Sequence, residues 1–238
     1  MNAHEEAVTK HGFTAVPRNP TSILQGQTVI KPPQPVMVSD IPRPASPLVE
    51  QVVQFVRAEL PDETFNHSMR VYYYGIAIAR EQFPSWRFSD ETYLLTCLLH
   101  DIGTTAQRRA ETLMSFEFYG GFLSLQLLQR LDASQAQAES VAEAIIRHQD
   151  LGDTGTISTI GQLIQLATVL DNTGAYADLV HQGTIDDVTA QYPRHKWSSC
   201  FAATIVAEVE AKPWCHTTAL EGFREKVLNN QVMEAYEL

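Results

Sequence analysis

The chain is poor in the features that would tie it to several common classes of protein. Its 238 residues include only three cysteines, Cys97, Cys200 and Cys215, an odd number without CxxC spacing that indicates neither a disulfide framework nor a cysteine metal site. Basic residues are few. The 17 Lys and Arg against 28 Asp and Glu give a formal net charge of −11, which argues against general binding to nucleic acid or to an anionic membrane surface. A small or neutral substrate suits that balance better. No apolar run approaches the roughly 20 residues that span a bilayer, and the opening Met1-Asn-Ala-His-Glu-Glu6 lacks a basic segment followed by an apolar one. A cytoplasmic protein with reduced thiols is the expectation.

Proline is also scarce, except at one end. Eight of the 12 prolines fall within the first 47 residues, a density that opposes regular helix and favours extended chain. Residues 1–45 are therefore expected to form a proline-rich arm, either free or lying on the body or on a neighbouring subunit through Gly12-Phe-Thr-Ala-Val-Pro17 and Pro35-Val-Met-Val38. Residues 46–238 would form one domain, and exchange of arms would make a homo-oligomer reasonable. Convincing period-two alternation is missing throughout, so the expected fold class is all-α. Ser46 and Pro47 read as the N-cap and first residue of a helix whose apolar stripe, Leu48, Val49, Val52, Val53, Phe55 and Val56, stops before Pro61. A second helix is predicted over about 63–82, and a third from Ser89 through His100-Asp101 to a stop at Gly103. Further helices are predicted near 113–131, 138–149, 158–171, 184–191, 196–210 and 219–236.

What the chain does have is a spaced set of polar side chains inside apolar helical stretches. His67 lies in the second helix, and His100 and Asp101 close the run Tyr93-Leu-Leu-Thr-Cys-Leu-Leu-His-Asp101. Asp171 ends Leu163-Ile-Gln-Leu-Ala-Thr-Val-Leu-Asp171, where a buried carboxylate needs a partner. Two imidazoles and two carboxylates suit one borderline divalent cation such as zinc, with iron the other candidate. Consecutive helical residues diverge by about 100°, so His100 and Asp101 can share an ion only where the helix frays. Taken singly, each residue has a blander reading: a hydrogen-bonded core histidine, or an aspartate exposed at a helix end beside Asn172 and Gly174.

The order His, His-Asp, Asp resembles the HD-domain superfamily of metal-dependent hydrolases, which implies an HD-type helical bundle with those four side chains around a metal. Asn66-His-Ser-Met-Arg-Val71, Thr96-Cys-Leu-Leu-His-Asp-Ile-Gly-Thr104, Met114-Ser-Phe-Glu-Phe-Tyr-Gly-Gly121, Glu143-Ala-Ile-Ile-Arg-His-Gln-Asp150, Leu166-Ala-Thr-Val-Leu-Asp-Asn172 and Lys212-Pro-Trp-Cys-His-Thr217 together resemble the fungal cyanamide hydratase family. That resemblance covers about 46–217 and implies a zinc enzyme that detoxifies cyanamide by adding water to its nitrile carbon, giving urea. Nitrile hydration needs a nucleophile at neutral pH and a group to protonate the developing anionic nitrogen. Two residues are candidates for that help. Thr168, three residues before Asp171, shares its helix face, with back-bonding to its own helix as the alternative. His148 ends an amphipathic helix and could orient water or carry a proton, or merely cap or pack. His181, His195 and His216 read as structural, with His216 beside Trp214 the first to promote. The chief rival is an HD-type phosphohydrolase of small nucleotides, with Arg70 and Arg147 as phosphate ligands. Against it, Thr104 stands where such enzymes often carry a charged helper. A catalytically idle HD module used for binding is the third class.

Overall fold

The computed structural model describes residues 2–238 and shows a bundle of helices in chain order. After α1 (Ala3–Lys10), β1 (Ala15–Pro17) and α2 (Pro20–Ile23) come α3 (Pro47–Glu59), α4 (Asp62–Gln82), α5 (Asp90–Leu99) and α6 (Ala106–Ala110). Then follow α7 (Phe116–Arg130), α8 (Gln135–Arg147), β2 (Thr156–Ser158), α9 (Thr159–Thr173), α10 (Gln182–Gln191), α11 (Trp197–Ala211) and α12 (Phe223–Leu228). Local chemistry sets the boundaries. Ser46 accepts the Val49 N–H at 3.2 Å with Pro47 in the first turn of α3, and Ser158 accepts the Gly161 N–H at 3.1 Å to open α9. Gly174, at φ 74°, ends α9 in the left-handed conformation.

α4 is the axle of the bundle. Residues around nearly its whole circumference are buried, from Phe65 and Met69 to Tyr74 and Ile78, because α5, α9, α10 and α11 pack against it. α5 is likewise buried over Thr92–Leu99. α7 and α8 form a close antiparallel pair, and Gly121 explains the closeness: a Cβ there would lie 2.4 Å from Ile146 Cγ1. The stop expected at Gly103 has a different cause from a left-handed cap. A Cβ at Gly103 would sit 2.2 Å from the Phe116 carbonyl oxygen, so glycine lets the turn after α5 press on the start of α7.

Two expectations need correction. The stretch 219–236 is not one helix: α12 ends at Leu228, and a short 3-10 turn follows at Glu234–Tyr236. Asn230 interrupts it, donating from Nδ2 to the Asp171 carbonyl at 3.1 Å and accepting the Met233 N–H at 3.2 Å, bonds that compete with helix. The N-terminal segment, in turn, is ordered against the body and begins with a helix, since its prolines start only at Pro17. β1 pairs antiparallel with β2, Val16 opposite Ile157. Leu24, Val36 and Ile41 are buried, and Val36 donates its N–H to Thr184 Oγ1 at 2.8 Å. These bonds are made to the chain's own body.

Deleting residues 1–44 is accordingly expected to lower stability by several kcal/mol, because each fully buried aliphatic side chain contributes about 1.5–3 kcal/mol. Metal content should survive, since every proposed ligand lies further along the chain. Thermal melting and elemental analysis of the truncated protein check both statements. An unchanged melting midpoint would show that the arm's contacts contribute nothing.

Candidate metal centre

His67 projects from the buried length of α4, while His100 and Asp101 follow directly on the last residue of α5. His100 keeps helical angles, but Asp101 turns to φ −101° and ψ 12°, and that departure lets two consecutive side chains converge. His67 Nε2 lies 3.2 Å from His100 Nε2, and Asp101 Oδ2 lies 3.6 and 3.3 Å from those two atoms. All three residues are at most 1 % exposed.

The protons on the far side of each ring decide what this triangle can hold. His67 Nδ1 faces Asp171 Oδ2 at 2.6 Å, and His100 Nδ1 faces the Cys97 carbonyl at 2.8 Å, so both Nδ1 atoms are donors and both Nε2 atoms present lone pairs. Asp101 Oδ2 is buried with no hydrogen-bond partner among the described residues. With both rings neutral, three lone pairs converge in this triangle, an arrangement that calls for a cation between them. A triangle of those sides has its centre about 2 Å from each corner, close to the usual metal–imidazole and metal–carboxylate bond length. The residues fit a divalent metal, and imidazoles tied back through Nδ1 are how proteins orient such ligands.

Charge follows the same plan. Burial pushes the His67 imidazole down to about 4, although the bond to Asp171 and its charge oppose the shift. Burial alone would also lower His100 and raise Asp101, but the two are adjacent and opposite effects win: His100 is raised and Asp101 lowered.

Asp171, expected as the fourth ligand, is not part of the triangle. Its Oδ1 accepts from Arg70 Nε at 2.9 Å and Arg194 Nη1 at 2.8 Å, and its Oδ2 from Arg70 Nη2 at 2.9 Å and from His67. A carboxylate has about four lone-pair positions, and here all are filled. Burial would raise this carboxyl, yet Arg70 and Arg194 hold it well below the ordinary range. Asp171 is the fixed anion behind His67. Trp197 completes the clamp, stacked on the His67 ring at 4.2 Å while its Nε1 donates to Asn172 Oδ1 at 2.8 Å.

Residues 64–173, which span the whole constellation from His67 to Asp171, match the HD-domain family. The cyanamide hydratases DDI2 and DDI3 of Saccharomyces cerevisiae are each 43% identical over 225 residues, 94% of this chain and 98% of the yeast protein. The chain belongs to the cyanamide hydratase family. Within this family member, His148 meets the centre from α8: its ring is 5.2 Å from that of His100, at 88°, and 5.6 Å from Phe116. His148 Nδ1 donates to the Ile145 carbonyl at 2.7 Å, leaving Nε2 with a lone pair, and burial together with His100 lowers its pKa. The hydroxyl of Thr168 donates to the Ile164 carbonyl at 2.8 Å, so its proton serves its own helix rather than the site.

The remaining histidines separate. His181 caps α10, its Nδ1 accepting the Gly183 N–H at 3.0 Å, and His195 is exposed in a left-handed turn at φ 51°. His216 instead binds a buried carboxylate, Glu117. Sequence reasoning missed Arg194, Trp197 and Glu117. Arg194 sits in a loop with no periodicity to read, whereas Glu117, an acid between Phe116 and Phe118, carried a visible signal.

Proposed function

We propose that this chain hydrates cyanamide to urea at one divalent metal, most naturally zinc, held by His67, His100 and Asp101, with His148 as the proton carrier and Thr168 lending an oxygen lone pair. The observation that carries the reading is the buried triangle of two imidazole nitrogens and a carboxylate oxygen, in a family whose yeast members are cyanamide hydratases. A divalent metal at that position supplies a water acidic enough to attack at neutral pH. The protein's own groups manage the rest. Nitrile hydration forms one carbon–oxygen bond, opens one carbon–nitrogen π bond and moves a proton from water oxygen to nitrile nitrogen, before isourea relaxes to urea by a second shift. His148 Nε2, unprotonated because burial and His100 depress its pKa, accepts that proton and returns it. Closure helps too. With its ligand residues almost wholly screened, the centre suits a substrate of three heavy atoms.

The phosphohydrolase reading loses its ligands in this structure. Arg70 uses Nε and Nη2 on Asp171 and Nη1 on the carbonyls of Tyr192 and Pro193. Arg147 pairs with Asp150 and Glu143, and the Thr104 hydroxyl donates to the Asp101 carbonyl at 2.7 Å. The direct test loads the purified protein with metal and measures urea from cyanamide beside phosphate from nucleotides. Urea is expected and phosphate is not; the reverse result would move the chain to the phosphohydrolases.

Thr168→Val keeps shape and β-branching but removes the oxygen. Turnover is expected to fall on the order of a hundredfold, as for loss of an acceptor that orients the attacking water, with folding and metal content little changed. Thr168→Ser should keep most of the rate. Equal, near-wild-type turnover in both variants would reduce Thr168 to the back-bonding residue its geometry also describes.

A further inference from the structure

Glu117 is a buried carboxylate outside the metal triangle, and half of it has no partner among the described residues. It lies in the first turn of α7, fully screened from solvent, with Oε1 2.9 Å from His216 Nδ1 and Oε2 unbonded. Its position is fixed from several sides. Phe116 donates its N–H to Glu208 Oε1 at 3.1 Å, Lys212 Nζ donates to the Met114 carbonyl at 2.8 Å, and the His216 N–H donates to Ser115 Oγ at 2.9 Å. The segment also borders the metal centre. The Phe116 carbonyl packs on Gly103, two residues beyond Asp101, and the Phe116 ring touches His148, whose other aromatic neighbour is His100.

A purely structural ion pair accounts for Oε1 and leaves Oε2 unexplained. An ionised carboxylate is acceptor-only, and a buried acceptor without a donor is costly. The bond to Glu117 raises the pKa of His216. What is missing is a donor, and it must be small enough to enter a closed interior. Cyanamide carries one: its amino group presents N–H bonds at the end opposite the nitrile nitrogen. Acetonitrile has the same three-heavy-atom linear skeleton and presents a methyl group there.

We propose that Glu117, held by His216, is the specificity residue for the substrate's amino group, its free Oε2 accepting an N–H of cyanamide and so separating it from alkyl nitriles of equal size. This rests on the reading that the centre hydrates cyanamide. The physical basis of the selectivity is that a site built to bond an N–H leaves its own polar group unpaired when the analogue lacks one.

The test uses metal-loaded full-length protein, with cyanamide as substrate and acetonitrile as competitive inhibitor. In Glu117→Gln, the amide oxygen goes to His216 and an NH2 group turns toward the substrate, replacing acceptor by donor. The KM for cyanamide is expected to rise at least tenfold, while the inhibition constant of acetonitrile stays level or falls and metal content by elemental analysis is unchanged. His216→Gln, which retains a donor to Oε1 and is gentler on the fold, should shift cyanamide KM in the same direction by a smaller factor, again without weakening acetonitrile. If both ligands weaken in parallel, or neither changes, Glu117 is structural and the proposal falls. A wild-type protein that forms no urea would overturn the cyanamide reading and this proposal together, an outcome visible before any variant is made.

Discussion

His100→Ala and Asp101→Ala are each expected to leave the protein with background metal and no measurable urea formation. Each removes one corner of a triangle whose sides are 3.2, 3.3 and 3.6 Å and leaves two protein ligands where three converged. Asp171, the natural understudy, already has both oxygens saturated by Arg70, Arg194 and His67. The loss of affinity should therefore exceed the roughly 10–100-fold that follows removal of a residue that only orients a ligand. Elemental analysis after exhaustive buffer exchange, paired with a urea assay at saturating cyanamide, provides the measurement. Full metal content in either variant, or two metals per chain in the wild type, would dismantle the three-residue centre.

Asp171→Asn is expected to behave differently, and the contrast separates a ligand from an orienting residue. Two fully buried guanidinium groups would lose their shared anion, and breaking a buried ion pair from one side typically costs about 3–5 kcal/mol. His67 would also lose the acceptor that fixes its tautomer, so metal binding should weaken by about 10–100-fold without disappearing. Denaturant unfolding gives the first quantity and metal titration of the folded fraction the second. Wild-type stability combined with complete loss of metal would return Asp171 to the set of direct ligands.

Much of the site is written in the most local information of the sequence. His67, His100 and Asp101 were legible because a polar residue inside an apolar helical run must be satisfied by something, and three such residues of metal-binding type rarely coincide. The helices from α3 to α11, apart from the short α6, are legible for a related reason: caps such as Ser46-Pro47 and Ser158, and stripes such as Val49, Val52 and Val56, act within a single turn. Asp171 shows where that logic stops. An aspartate closing an apolar helix calls for a partner, but the sequence does not show that Arg70 and Arg194, 101 and 23 residues away in the chain, supply it. The N-terminal segment leaves a choice open instead, since proline density describes what the backbone cannot do and says little about where Leu24, Val36 and Ile41 come to rest.

The sequence by itself determined the all-helical class, most element boundaries and the identity of the side chains that converge, because propensity, capping and amphipathic period are set by residues a few positions apart. Tertiary structure decided which atoms of those side chains are free. Whether an imidazole offers Nε2 or Nδ1, whether a carboxylate keeps a lone pair, and whether a threonine hydroxyl looks inward or back at its own helix all depend on hydrogen-bond partners supplied by distant segments. A donor or acceptor can be used only a limited number of times, so function at this centre was fixed by the count of bonds already made around it.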